Sequence, residues 1–223
     1  MSSSLLIIGA SRGIGLEWVR QARAAGAQVV ATARSDEGLA AITALGAQAL
    51  RLDVADTASA SGLAWQIDGQ AFDQVLICAG IFGPSSAGLQ TPTVSDFDAV
   101  MHTNVLGPMR VLPQLVDALA PDARLAIISS RMGSMGLRQN SSGWLYRASK
   151  AAVNSVLKDA SLILQGRAIC VSLHPGWVRT DMGGADADID VATSVAGMRT
   201  VLATLKPAHN GGFFNYDGSP LAW

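Results

Sequence analysis

Leu5-Leu-Ile-Ile-Gly9-Ala-Ser-Arg-Gly13-Ile-Gly15-Leu-Glu-Trp18-Val19 decides how the chain folds. Four apolar residues in a row read as a buried strand. Glycines follow at once, at positions 9, 13 and 15. Ile14, Trp18, Val19, Ala22 and Ala25 then recur at helical spacing, and Gly26 ends the helix. Glycine lets backbone N–H groups approach a ligand closely, and the helix N-terminus behind it favours negative charge. Strand, glycine loop and helix in that order form the setting in which a nucleotide pyrophosphate docks. A plain strand-to-helix turn is the simpler reading of the same glycines.

Outward from this stretch, short apolar runs alternate with longer amphipathic ones. Strands are expected at Leu5–Ile8, Val29–Thr32, Ala47–Leu52, Gln74–Cys78, Leu125–Ile128, Ala168–Leu173 and Gly212–Asn215. Between them, helices are expected over Asp36–Leu45, Thr57–Ile67, Asp96–Leu119 with a kink at Gly107-Pro108, Tyr146–Leu164 and Val191–Leu205. The strands are continuous apolar runs, so both faces of the sheet are covered. The expected fold is α/β, a doubly wound, mostly parallel Rossmann-type sheet of about seven strands with helices on both faces. At 223 residues a single domain over 1–223 is expected. Ligands then bind beyond the carboxyl ends of the strands, in the loops 9–15, 33–36, 53–55, 79–90, 129–145 and 174–190.

Composition narrows the function. Hydrophobic residues are 49% and charged residues only 15%, which fits helices packed on a buried sheet and excludes disorder. Sixteen Lys and Arg against 17 Asp and Glu leave a net charge of −1, so no basic nucleic-acid footprint is expected. No apolar run reaches the ~18 residues of a membrane span, and the start lacks a basic signal-peptide region, so a cytoplasmic protein is expected. Cys78 and Cys170 make neither a disulfide framework nor a zinc set; buried, reduced thiols are expected. Asp186-x-Asp188-x-Asp190 opens like a calcium loop, but Val191 and Gly197 stand where that loop needs Gly and Glu, so no metal is assigned.

Two features specify the chemistry. Ala33-Arg34 ends the second strand where an acid would bind a ribose 2′-hydroxyl. With Arg12 in the glycine loop, it suits a 2′-phosphate, so NADP is expected over NAD. Asp36 is the rival, 21 residues after Gly15, but it falls where a helix N-terminal acid belongs. Farther on, Tyr146-Arg-Ala-Ser-Lys150 sets a phenol and an ammonium at i and i+4 on one helix face. The lysine is expected to pull the phenol pKa down and ready Tyr146 for proton transfer.

In order and spacing these motifs resemble the short-chain dehydrogenase/reductase family from Leu5 to about Asn215, and in particular its compact branch of C-factor-like and carbonyl-reductase-like members. The resemblance makes Gly9, Ser11, Arg12, Gly13, Ile14, Gly15 and Arg34 cofactor-binding. It adds Asp53 and Val54 at the adenine, Ala79 and Gly80 after the fourth strand, and Pro175, Gly176, Val178 and Thr180 at the nicotinamide. Its catalytic set falls on Asn104, Ser130, Tyr146 and Lys150. Tyr146 would protonate the alkoxide and Ser130 would orient the carbonyl. Lys150 would hold the nicotinamide ribose, and Asn104 would place a relay water. Cys78 departs from the family, replacing its asparagine. Ser130 precedes Tyr146 by 16 residues, a long gap that leaves Ser134, 12 before Tyr146, as a second candidate. The compact branch shares the longer gap, which favours Ser130.

The resulting expectation is an NADPH-dependent reductase of a small, apolar carbonyl compound, or the reverse alcohol oxidation. Its walls would come from Ile81, Phe82, Leu137, Trp144 and Trp177, and a short lid from Gly183–Asp190. A homodimer or homotetramer is expected. The rival is a non-catalytic NADP-binding sensor or signalling protein, which has no chemical need for the phenol. His102, His174 and His209 are scattered and form no triad with a serine.

Overall fold

The computed structural model describes residues 3–86 and 88–223. The start of the chain at Met1-Ser2, and Ala87 in the loop 79–90, lie outside the described residues. Seven strands form one parallel sheet in the order β3-β2-β1-β4-β5-β6-β7. They are β1 Ser4–Ile8, β2 Gln28–Ala33, β3 Gln48–Arg51, β4 Phe72–Ile77, β5 Leu119–Ile128, β6 Ala168–His174 and β7 Gly212–Asn215. The order reverses between β1 and β4, which opens a crevice at their carboxyl ends.

Alternate residues of each strand feed two separate cores. On one face Leu6, Val75, Ile77, Leu125 and Ile127 pack with Val111 and Leu115 of α6 (Gly107–Leu115) and Val153 and Leu157 of α7 (Trp144–Ile163). On the other, Ile7, Ala31, Leu76, Ala126 and Val171 pack with α1 (Gly13–Ala24) and α8 (Val191–Thr204) through Trp18, Val19, Val195 and Met198. Burial on both sides is why the strands read as unbroken apolar runs.

Three expected boundaries are corrected. The helix expected over Thr57–Ile67 is two short pieces, Thr57–Ser61 and Leu63–Gln66, interrupted at Gly62, the weakest helix former in the stretch. The long helix expected over Asp96–Leu119 ends at Leu115, and β5 begins at Leu119, six residues before the expected Leu125. Pro121 and left-handed Asp122 (φ 58°) conceal that early start, and the register with β4 shifts there. The kink is a π-turn over His102–Leu106, between Val94–Met101 and α6. Pro108 has no N–H to give and its ring would press on the carbonyl four residues back, so the chain widens just ahead of it.

Candidate active site

The glycine loop closes tightly because no side chain fits in it. A Cβ on Gly9 would lie 2.7 Å from the Ala79 backbone, and one on Gly15 only 2.2 Å from the Gly9 carbonyl oxygen. Gly9 (φ 88°) and Gly13 (φ 53°) adopt left-handed backbone that glycine enters freely. α1 therefore starts directly at the crevice with no acid in its first turn. This end suits an anionic diphosphate.

The crevice, about 370 Å³, lies where the strand order predicts. Of the residues assigned to cofactor binding, Gly9, Ser11, Arg12, Gly13, Ile14, Arg34, Asp53, Val54, Ala79, Gly80, Tyr146, Lys150, Pro175 and Thr180 line it. Gly15 shapes the loop from beneath. Gly176 (φ 85°) packs against Ile189 and Tyr216, and Val178 is buried behind the wall, bridged to Ile189. Gly183–Asp190 folds back onto the preceding residues 177–179: Arg179 N–H donates to the Ile189 carbonyl, and Trp177 Nε1 donates to the Gly183 carbonyl.

The arginines are deployed unequally. Arg12 pairs with Asp181 at 2.7 Å across the crevice mouth, with both side chains exposed. Such a surface pair contributes ~0–1 kcal/mol, so a phosphate competes for Arg12 easily. Arg34 has no ion pair among the described residues. Asp36 is the first residue of α2 (Asp36–Ala44), which Ser35 caps, and it pairs with Arg51 at the end of β3. Arg51 also donates to the Arg34 carbonyl at 2.9 Å. Sequence reasoning missed Arg51: it lies in a strand whose contact with the 34–36 turn appears only once β2 and β3 pair.

At the inner end, Tyr146 and Lys150 lie buried on α7. The Ser130 hydroxyl sits against the Tyr146 phenol and eases its ionisation. Ser130 also accepts from the Met132 N–H at 3.1 Å, which fixes its rotamer. Ser134, by contrast, is fully buried and bonded to the Trp223 carbonyl and the Leu137 N–H. Phe82 packs on the Tyr146 ring, centroids 4.6 Å apart. Lys150 Nζ donates to the Ile128 carbonyl at 2.8 Å and lies 5.6 Å from the Tyr146 ring centre. Asn104, in the π-turn, accepts from the Ile81 N–H and donates to the Ile81 carbonyl and the Ser149 hydroxyl. Asn104 and Lys150 flank Gly80, where a Cβ would come 3.3 Å from Asn104 Oδ1 and 3.5 Å from Lys150 Nζ.

The expected pKa balance is corrected. Burial outweighs every other influence on the phenol and pushes Tyr146 up to about 12, with Ser130 pulling weakly the other way. The same burial brings Lys150 down to about 8. Cys78 lines the crevice beside Lys150. Burial pushes its thiol up to about 11, so it stays protonated and inert at neutral pH. Both cysteines are free. Among the described residues no cluster of side chains could hold a metal ion, and no helix is long and apolar enough to cross a membrane.

Comparison with known proteins agrees with this geometry. A family profile described as "short chain dehydrogenase" matches residues 3–189. C-signal of Myxococcus xanthus is 40% identical over 132 residues, covering 58% of this chain and 80% of that protein. The carbonyl reductase Sniffer of D. melanogaster superposes with a TM-score of 0.91 at 31% identity, with both chains fully covered. A short-chain dehydrogenase/reductase from Burkholderia multivorans with bound NADP superposes at 0.89 with 32% identity, again over all of both chains. With the fold, the glycine loop and the profile in agreement, the chain belongs to the short-chain dehydrogenase family of oxidoreductases.

Proposed function

We propose that this protein is an NADPH-dependent carbonyl reductase acting on a small apolar aldehyde or ketone, or on the alcohol in reverse. The observation that carries this reading is that Tyr146 and Lys150 line a glycine-floored crevice side by side, with the Ser130 hydroxyl against the Tyr146 phenol. The likeness to an NADP-bound relative supports the cofactor, and the likeness to a carbonyl reductase supports the reaction.

The residues fit the cofactor. Gly9, Gly13 and Ile14 would cradle the diphosphate at the start of α1, and Arg34 with Arg12 would hold the 2′-phosphate. Asp53 would meet the adenine, and Pro175 and Thr180 the nicotinamide. When bound, the nicotinamide supplies the hydride. Tyr146 is a protonated phenol at neutral pH and gives its proton to the oxygen that becomes an alkoxide. Ser130 donates a hydrogen bond to the same oxygen. Lys150, brought down to about 8, lies in the range to return a proton to the tyrosine. The substrate would rest against Ile81, which lines the crevice, and against Phe82, Leu137, Trp144 and Trp177. The assembly we propose is a homodimer or homotetramer.

The test follows NADPH oxidation against a panel of aliphatic and aromatic aldehydes and ketones. Tyr146→Phe should lower turnover by at least ~10²-fold, the scale of general acid catalysis, with NADPH affinity within about twofold. Retained turnover overturns the role of Tyr146. The likeness to C-signal favours a second reading, a nucleotide-binding signalling protein. That reading predicts NADPH binding with no turnover of any carbonyl in the panel.

A further inference from the structure

Residues 216–223 turn back from β7 and end on the loop between Ser130 and Tyr146. The return is built by Asn215 N–H donating to the Ser219 carbonyl and Leu221 N–H donating to the Phe213 carbonyl, each at 2.8 Å. Asp217 holds the turn, accepting from the Ser219 N–H and hydroxyl at 2.9 and 2.6 Å. Trp223 then stacks on the buried Phe213 ring, centroids 5.3 Å apart and planes 22° apart. Its carbonyl accepts from the Gly136 N–H at 3.1 Å and from the Ser134 hydroxyl at 3.2 Å. Ser134 is fully buried and also accepts from the Leu137 N–H at 3.1 Å.

Residues 134–143 contain no helix or strand. The far half of this segment is held separately: the buried Arg147 of α7 donates to the Ser142 carbonyl at 2.7 Å and to Asn140 Oδ1, and the Gly143 N–H donates to the Ser86 carbonyl at 3.2 Å. The preceding turn, Arg131–Gly133, is fixed on the other side, where a Cβ on Gly133 would come 2.7 Å from the Lys150 backbone. Gly143 at the far end lies against Phe82, the ring that covers Tyr146. The loop is thus anchored in its first half by Trp223 and in its second half by Arg147, with Gly133 and Gly143 packed on the site at its ends.

We propose that Trp223 is a positioning residue for the carbonyl substrate, pinning Ser134–Leu137 within the loop that leads from Ser130 to Tyr146. The proposal rests on the reductase reading. The residues that Trp223 stacks on and bonds, Phe213, Ser134 and Gly136, are not among those assigned to the cofactor, so its effect is expected on the substrate side.

The experiment compares wild type with Trp223→Ala, Trp223→Phe and Ser134→Ala. It measures KM and kcat for the best carbonyl in the panel, the NADPH Kd by fluorescence, and amide hydrogen exchange over 134–142. Trp223→Ala keeps the main-chain oxygen that Ser134 and Gly136 bond but removes the ring that seats it on Phe213, so it should raise KM about three- to tenfold, the equilibrium weight of one lost aromatic pair. kcat and NADPH Kd should stay within about twofold, and exchange over 134–142 should quicken. Trp223→Phe keeps the stack and should restore KM; Ser134→Ala should reproduce part of the rise. Unchanged loop exchange in Trp223→Ala overturns the proposal, as does a parallel loss of kcat, KM and NADPH affinity, which would mark a general structural role. If the wild type binds NADPH but reduces no carbonyl, the reductase reading falls and this assignment falls with it. A wild type that turns over while Trp223→Ala leaves KM unchanged overturns this assignment only.

Discussion

Lys150 is 5% exposed, and its ammonium donates to the Ile128 carbonyl at 2.8 Å. Burial therefore disfavours its charged form and brings it from 10.5 to about 8. In the unfolded chain the group stays protonated to about pH 10.4. Between these values the unfolded state binds more protons, so this group's contribution to stability rises with pH across that window. Below about pH 8 its cost is present in full, on the order of 3 kcal/mol at about 1.4 kcal/mol per unit. Lys150→Met removes the titration. The stability advantage of the variant over wild type should shrink by about 2–3 kcal/mol between pH 7.5 and 10.5, followed by urea denaturation. Taking the difference in a Cys78→Ala background, because Lys150 itself acts on that thiol, cancels the opposite drift of Cys170, whose raised thiol makes the folded state less favourable as pH climbs above about 9. A flat difference would show that Lys150 is not charged at a cost. The same burial is invisible in the sequence, where Tyr146 and Lys150 are simply neighbours on a helix. Their spacing shows that they meet; the sheet beneath them sets which proton is held more tightly.

At the scale of elements, the π-turn His102–Leu106 ties together parts of the chain that are remote in sequence. Asn104 bonds both backbone groups of Ile81 after β4 and the Ser149 hydroxyl of α7, at 2.8, 2.8 and 2.9 Å. Asn104→Ala would leave the buried Ser149 hydroxyl and the partly buried Ile81 backbone groups without this partner, at about 1–3 kcal/mol in total. The expected fall in Tm is roughly 3–10 °C, with faster exchange of the Ile81 amide. A fall under about 1 °C would mean that water replaces the side chain without loss. The elements were legible where burial is two-sided: β1, β2, β4 and β6 appear as apolar runs because both cores consume their side chains. They were illegible where local signals conflict with packing. β5 begins among Pro121 and Asp122, residues that mark turns, and only pairing with β4 and β6 makes them strand. Much of the candidate site was legible for the opposite reason. Gly9, Gly13, Gly15, Tyr146 and Lys150 are set by spacing within one turn or one helix, which sequence preserves. Arg51 beside Asp36 and Trp223 beside Ser134 depend on strand pairing and on a chain reversal, which it does not.

Across the whole molecule, the crevice couples folding to ligand binding, because it exists only when β1, β4, β5 and β6 are in register. A ligand at 100 times its Kd should add about 2.7 kcal/mol, or roughly 5–10 °C in Tm for a chain of this size. NADPH should give that shift at lower concentration than NADH. The reason lies in how charge is distributed at the end of β2. Asp36, the group that could accept from a 2′-hydroxyl, is already engaged by Arg51 in an exposed pair of the same modest weight as Arg12–Asp181, whereas Arg34 keeps its guanidinium free of ion pairs among the described residues. Arg34→Ala should therefore weaken NADPH more than NADH. Arg51→Ala should do the reverse of a simple loss of positive charge: by releasing Asp36, it should tighten NADH while loosening NADPH. Asp36→Asn in the Arg51→Ala background should cancel the gain for NADH, since the freed carboxylate is its source. Thermal shift titrations of the four proteins with both nucleotides check this. If Arg51→Ala weakens both nucleotides equally, Arg51 acts only as a positive charge near the phosphates. If wild type prefers NADH, Asp36 must leave Arg51 for the ribose, and the preference for NADPH proposed from Arg12 and Arg34 is overturned.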